Sequence, residues 1–545
     1  MADLILTGAS VVTMDPAVPT AQAVAVRAGR IAAVGSHDEV IETRGPNTRV
    51  IDLPGAMIVP GFQDSHIHAI EGGRVRVLCN LHEAGDAGAY IRIVRDYAAA
   101  HPDREWILGG GWRLDAFPGG SPPKGLLDAV VSDRPVLLEN RDGHDAWANS
   151  RALELAGVTA ATPDPVDGRI EREPDGSPAG ALHEGAMRLV ADHAPTASPG
   201  ELEEALTEAQ SYLHSLGITG WQDAIVEAET LAAYRSLAAD GRLKARVVAA
   251  LWWDRHRELD QVDELVERRH AGTTGRLRAT AVKIMQDGIP ENFTAAMTSP
   301  YLGPDGRPGD GSGLSFVEPT LLNRAVTRLD AEGFQVHVHA IGDRAVREAL
   351  DAFEAARDAN GPRDSRHHIA HIQVVHPDDI PRFAALDVVA NAQPYWACLD
   401  GQMRSLVIPF LGPERTAWQY PFASLLRTGA TLAMGSDWPV TTPHPLREIQ
   451  VAVTRIPDGD PEQPVFLPDE RLALADALRA FTSGTAFVNH DDLETGSIEP
   501  GKLANLAVVD RDLFAIDAIE IGTAKVVLTL VEGEPVYADP AVVSW

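Results

Sequence analysis

The sequence predicts a (β/α)8 TIM barrel. A small β-sandwich domain is built from both chain ends, and a large insertion follows the first barrel strand. Three observations predict this. Eight short apolar segments run through the middle of the 545-residue chain, most of them followed by helical periodicity. Period-two patterning broken by turn residues is confined to the two ends. About 150 residues separate the first apolar segment from the second, far more than a βα loop needs.

Taken in order, the N-terminal sixty residues alternate apolar runs with turns: LILTGASVVTMD, AVAVRAGRIAAVG and RVIDLPGAMIVPG. The C-terminal end repeats the pattern in LANLAVVDRD, KVVLTLVEGEPVYA and the terminal Val542-Val543-Ser544-Trp545. The expected domains are therefore 1–56 with 488–545 as the β-sandwich, and 57–487 as the barrel. Within the barrel, 72–200 is an inserted subdomain shaping the active site. The insertion carries its own strand candidates (WILGGGW, PVLLENRDG) and turns (FPGGSPP, DPVDGR, EPDGSP), and ends in a helical stretch from Pro199. The eight barrel candidates are Met57 to Ser65, Ile218 to Asp223, Ala245 to Leu251, Ala279 to Met285, Gly333 to His339, His367 to His371, Val388 to Gln393 and Thr431 to Gly435. The competing topology is a doubly wound open sheet.

Lys and Arg number 47 against 78 Asp and Glu, a formal charge of −31. Such a surface repels phosphate backbones and anionic lipid heads, which argues against nucleic acid or membrane partners and for a small-molecule substrate. Its simplest role is solubility. The two cysteines, Cys79 and Cys398, exclude a disulfide framework and argue strongly against a cysteine-built zinc site. With no leader-like N-terminus and no apolar run of about 18 residues, the chain reads as cytoplasmic. A homodimer is compatible with the sequence but not required by it.

The densest chemical signal is Gly61-Phe-Gln-Asp-Ser-His66-Ile-His68. Residues i and i+2 of a strand share a face, so the two imidazoles converge and can share a metal ion. His339 ends Gln335-Val-His-Val-His339, His371 ends His367-His-Ile-Ala-His371, and Asp437 ends Leu432-Ala-Met-Gly-Ser-Asp437. Each lies where an apolar strand stops, the edge on which barrel active sites form. His337 shares a strand face with His339, and parity does not choose between them. His339 is preferred as nearer the C-terminal end of its strand. Lys283 is a cation inside the apolar strand Ala281-Val-Lys283-Ile-Met. It is either paired, for example with Asp287, or converted by carbon dioxide to an anionic carbamate able to bridge two metals.

This set resembles the amidohydrolase superfamily: HxH after the first barrel strand, then Lys, His, His and Asp after the fourth, fifth, sixth and eighth. Within it the chain is similar to the YtcJ-like group, amidohydrolase family 3. The motifs that carry this are Gly143-His144-Asp-Ala-Trp-Ala-Asn149-Ser150, Val282-Lys-Ile-Met-Gln-Asp-Gly288, His339-Ala-Ile-Gly-Asp343 and Gly435-Ser-Asp-Trp-Pro-Val440. Asn505 departs from a tail motif in which Asp is common. The resemblance implies a centre of His66, His68, Lys283, His339, His371 and Asp437 holding one or two divalent ions, zinc foremost. It also implies a metal-activated hydroxide and Asp437 as proton shuttle. His144 is expected to contact substrate or donate to the oxyanion. Trp112, Trp147, Tyr395 and Trp438 are candidates for an aromatic wall, and Phe293 and Met297 for the pocket boundary.

The expected activity is hydrolysis of a C–N bond in an amide-like small molecule of the N-acyl or N-formyl amine type. The resembled group includes a deformylase of N-substituted formamides. Deamination or cyclic-amide hydrolysis would use the same site, and a catalytically inactive metal-binding or regulatory homologue would keep the fold alone. A glycoside hydrolase using Glu139 and Asp223 would leave the histidines unexplained.

Overall fold

The computed structural model describes residues 1–82 and 84–542. Its centre is an eight-stranded parallel sheet: β1 Phe62–Ile67, β2 Ile218–Val226, β3 Arg246–Trp252, β4 Leu277–Met285, β5 Gln335–Ala340, β6 His368–His371, β7 Val389–Ala392 and β8 Leu432–Met434. Neighbours pair in sequence order from β1 to β8. Backbone bonds just beyond β8 join the two ends of the sheet. The Asp437 N–H donates to the His66 carbonyl (2.7 Å) and the His68 N–H to the Trp438 carbonyl (2.9 Å). The fold is therefore the α/β barrel, not an open doubly wound sheet.

Most strands are followed by amphipathic helices whose apolar stripe covers the barrel. In Asp343–Asn360, for example, Val346, Ala349, Leu350 and Phe353 are buried while charged residues face out. Helix Ala69–Val77 follows β1 and lies against Pro199–Ser215, which opens with a Ser198–Glu201 capping box. Gly73 permits that approach, because a Cβ there would stand 1.9 Å from the Ala205 carbonyl oxygen. Among the described residues no helix is long and apolar enough to cross a membrane.

The segment expected as one strand from Met57 to Ser65 is two. Met57–Pro60 belongs to the sheet of the chain ends, and β1 begins only after Gly61. A continuous apolar run cannot show this break, since both halves are buried. The sheet of the chain ends runs in the order Glu534–Ala538, Val526–Val531, Leu506–Val509, Met57–Pro60, Leu4–Val12, Thr20–Arg27 and Arg30–Gly35. Arg49–Asp52 also pairs with Leu4–Val12. This single sheet wraps a core containing Leu6, Val24, Ile58, Leu506 and Leu528. Ile31 donates its N–H to the Lys502 carbonyl (2.9 Å) and accepts one from Gly501 (2.8 Å). Val542 follows the last strand, and the rest of the terminal Val-Val-Ser-Trp lies outside the described residues.

Between β1 and β2 the chain forms a third sheet, in the order Gly168–Arg172, Pro178–Glu184, Asp145–Ala148, Val136–Asn140, Ile107–Trp112 and Cys79–Asn80. Asn149 caps the following helix and fastens this sheet. Its Oδ1 accepts the N–H groups of Ala152 (2.9 Å) and Val136 (3.0 Å), and its Nδ2 donates to the Val131 and Arg134 carbonyls.

Candidate metal centre and substrate cavity

His66, His339, His371 and Asp437 arrive at one end of the barrel because β1, β5, β6 and β8 are parallel and in register. The Asp437 carboxylate is the hub. Its Oδ1 lies 3.0 Å from His66 Nε2 and 2.8 Å from His68 Nε2, and its Oδ2 is 4.0 Å from His371 Nδ1. One donor atom each from His66, His371 and Asp437 falls within 4.8 Å of the others, close enough to share an ion. Burial opposes ionisation of Asp437, but the His66 and His68 imidazoles outweigh it and hold the carboxyl well below its ordinary range.

The imidazoles are kept neutral. Burial, reinforced by neighbouring rings and Lys283, pushes His339 and His371 well below the usual histidine range, and burial takes His66 down to about 4. Neutral imidazole is the form that binds metals. His339 Nε2 and His371 Nδ1 are buried without a hydrogen-bond partner, a costly arrangement that a bound cation would relieve. His337 differs, because both its nitrogens are engaged, Nε2 at 2.7 Å from His66 Nδ1 and Nδ1 at 2.8 Å from Gln222 Oε1.

Lys283 is 3% exposed on β4, and its amine makes no hydrogen bond among the described residues. Burial lowers its pKa to about 8, partly offset by Asp437. The alternative partner, Asp287, accepts the backbone N–H groups of Ala296, Ile341 and Gly342 at 2.8–2.9 Å and forms no ion pair with Lys283.

The insertion contributes His144, whose ring lies 5.7 Å from that of His339. Its Nδ1 is 2.9 Å from Glu184 Oε1. Burial opposes its charge, but Glu184 outweighs burial and raises the His144 pKa to about 9. Glu184 also accepts from Thr294 Oγ1 (2.8 Å) and Asn292 Nδ2 (3.3 Å), so the loop after β4 holds this pair.

Two cavities meet at His144, His339, His371 and Asp437. One, of about 540 Å³, reaches His66, His68 and Lys283. The other, of about 140 Å³, runs between the loops after β4 and β7 and the insertion. Tyr395 lines the smaller one together with Trp396, which the sequence did not single out. The other aromatic candidates lie elsewhere. Trp112 and Trp147 are fully buried in the insertion and line neither cavity. They pack on each other and on Phe117, with their indole N–H groups on the Leu138 and Pro123 carbonyls. The sequence cannot distinguish a tryptophan that lines a cavity from one that fills a domain core. Trp438 packs on Tyr212 and close to Gly72, and its carbonyl anchors the His68 N–H. Phe293 is 41% exposed against Tyr301 and Phe410, while Met297 is buried. Neither lines these two cavities.

Several residues that order the centre were not singled out in the sequence. Asp64, two residues before the HxH motif, accepts the His66 N–H (3.0 Å) together with the Ser436 N–H (3.1 Å) and hydroxyl (2.6 Å), tying β1 to the end of β8. Below the centre, Gln222 Oε1 meets His337 and His368 (2.8 and 2.9 Å), and Asn391 bridges His368 to Ser65. Polar residues at alternate positions of β1 to β7 were the available signal. Glu139 and Asp223, the carboxylates of the glycosidase alternative, both line the larger cavity, but Asp223 is occupied by the Tyr234 hydroxyl at 2.6 Å.

Comparison with known proteins agrees with this geometry. The chain is 34% identical over 558 residues to "Protein LONG AFTER FAR-RED 3" of Arabidopsis thaliana, covering 98% of this chain and 92% of that one. It is 29% identical over 549 residues to "N-substituted formamide deformylase" of Arthrobacter pascens, covering 98% of each. The solved structure of an uncharacterized metal-dependent hydrolase from Pyrococcus horikoshii superposes with a TM-score of 0.73 at 25% identity, covering 94% of this chain and 99% of that one. The amidohydrolase family profile matches residues 49–537, and the chain belongs to that family of hydrolases.

Proposed function

We propose that this chain hydrolyses a C–N bond of an amide-like small molecule of the N-acyl or N-formyl amine type. One observation carries the reading. An ionised, buried Asp437 stands among His66, His339 and His371, which burial keeps neutral, and the last two have nitrogens without a hydrogen-bond partner among the described residues. That donor set fits a divalent metal such as zinc, held by His66, His68, His339, His371 and Asp437, with Lys283 joining as the amine or as its carbamate. The metal would supply Lewis acidity toward the carbonyl and toward water.

The chain's own groups do the rest. Asp437, with Oδ2 the less engaged oxygen, accepts the proton released as water attacks and delivers it to the departing nitrogen. His144, kept protonated by Glu184, donates a hydrogen bond to the carbonyl oxygen as negative charge builds there. The insertion supplies His144 and Glu184 to the wall of the cavity over the centre. The similarity to an N-substituted formamide deformylase supports this leaving-group chemistry. Assaying release of amine from a panel of N-formyl and N-acyl amines tests the proposal. Chelator-sensitive amine release is expected, whereas a metal-loaded protein that cleaves no member of the panel would defeat it.

A further inference from the structure

The smaller cavity contains an arrangement that hydrolysis itself does not need. Asp142 in the insertion and Glu291 after β4 point at the same group. Gln402 Nε2 lies 3.1 Å from Asp142 Oδ2 and 3.0 Å from Glu291 Oε1. One neutral amide therefore serves two carboxylates that repel each other, and neither makes an ion pair among the described residues. The cations nearby make their contacts elsewhere: His144, bonded to Glu184, and Arg141 act on Asp142 only through space. Arg113 forks onto Asp115 at 2.7 and 2.8 Å, and Arg141 turns its Nη2 to the His82 carbonyl.

A separate feature points to a ligand. Tyr420, 2% exposed, lines the same cavity, yet its hydroxyl makes no hydrogen bond among the described residues. Its backbone is held at φ 47°, in the left-handed region that disfavours a bulky residue. The fully buried Arg455 donates to its carbonyl at 3.2 Å. Backbone strain at a site that opens onto a cavity is kept where it positions a side chain. Tyr395 and Trp396 supply aromatic surface beside it.

We infer that this cavity is a subsite for a protonated amino group, so that the substrate is an amide whose chain also carries an ammonium. The inference rests on the hydrolase reading above for the position of the scissile bond. An ammonium has three donors and no acceptor. It would replace the mutual repulsion of Asp142 and Glu291 with two charge-assisted hydrogen bonds, donate a third to the Tyr420 oxygen, and rest against aromatic faces. Without such a cation burial pushes both carboxyls upward, Asp142 to about 6 with Asp145 adding to the shift and Glu291 to about 7 with Asp142 adding to it.

The test compares N-(3-aminopropyl)formamide with N-butylformamide, which differ only in an ammonium against a methyl group. Binding to the metal-loaded protein is measured by calorimetry, and turnover is measured separately. The expected result is binding of the ammonium compound at least about tenfold tighter. That ratio should collapse towards one in Glu291→Gln and Asp142→Asn and fall in Tyr420→Phe, with circular dichroism confirming each fold. Equal binding of the two compounds, a ratio untouched by the substitutions, or binding of neither overturns the inference. Because binding is read without turnover, a tenfold preference with no cleavage supports the subsite while counting against the hydrolysis of formamides. Cleavage of both compounds at equal efficiency does the reverse.

Discussion

Asp437 sits at φ 57° and His371 at φ 78°, both in the left-handed region costly for residues with side chains. The surrounding bonds impose that geometry. It turns the Asp437 carboxylate back towards three imidazoles while its N–H reaches the His66 carbonyl. Asp437→Asn retains shape but not the proton acceptor. Turnover should fall by roughly 10²–10⁴-fold with an unchanged circular dichroism spectrum, and near-normal turnover would remove Asp437 from the mechanism. Lys283 makes the second test. Held at a pKa of about 8 by burial, its amine is partly uncharged near neutrality and open to carbon dioxide. Lys283→Ala should lower the metal content read by plasma mass spectrometry, and a small carboxylic acid should partly restore it. Undiminished metal would exclude a ligand role.

At the scale of elements, the insertion is held together by ionic pairs as well as by apolar packing. His144 pairs with Glu184 and His183 with Asp145, and both histidines are pushed up to about 9. Burial opposes the shift, and the carboxylates outweigh it. A histidine whose pKa is raised on folding stabilises fully below its unfolded value of about 6.5 and loses that contribution as pH rises through its folded value. The melting temperature should therefore decline between about pH 6.5 and 9. Replacing His144 and His183 with Gln should flatten that slope, and an unchanged profile would show that these pairs are not coupled to folding. Asp64 acts at the same scale, joining the start and end of the barrel through its bonds to His66 and Ser436. It stands two residues before the HxH motif. A metal-ligand pattern draws the eye to His66 and His68, whereas the residue that orients them has no pattern of its own.

For the whole molecule, the proposed metal centre would draw its donors from five strands of one closed sheet, which would link occupancy to global stability. Removal of metal by chelation should lower the melting temperature and readdition should restore it, because a ligand that binds only the folded state stabilises by mass action. A melting temperature insensitive to metal would mean that the histidine cluster is satisfied without an ion. The same closure explains why two cavities share one centre. The insertion roofs one side of the barrel mouth and the loops after β4 and β7 roof the other.

The barrel, the order of its strands and the clustering of His66, His68, Lys283, His339, His371 and Asp437 at strand ends were legible in sequence. Strand periodicity and strand ends are local properties, and parallel order follows from alternating strand and helix. The tertiary structure decided what depends on neighbours distant in the chain. It separated His339 from His337 by giving the latter two hydrogen-bond partners. It split Met57–Ser65 between two sheets, and it put Trp112 and Trp147 into the core of the insertion. It also brought Asp142, Glu291 and Tyr420, 278 positions apart from first to last (420 − 142), around one small cavity. Residue type sets what a side chain can do, but burial, partner geometry and field set what it does, and those are fixed only once the barrel closes.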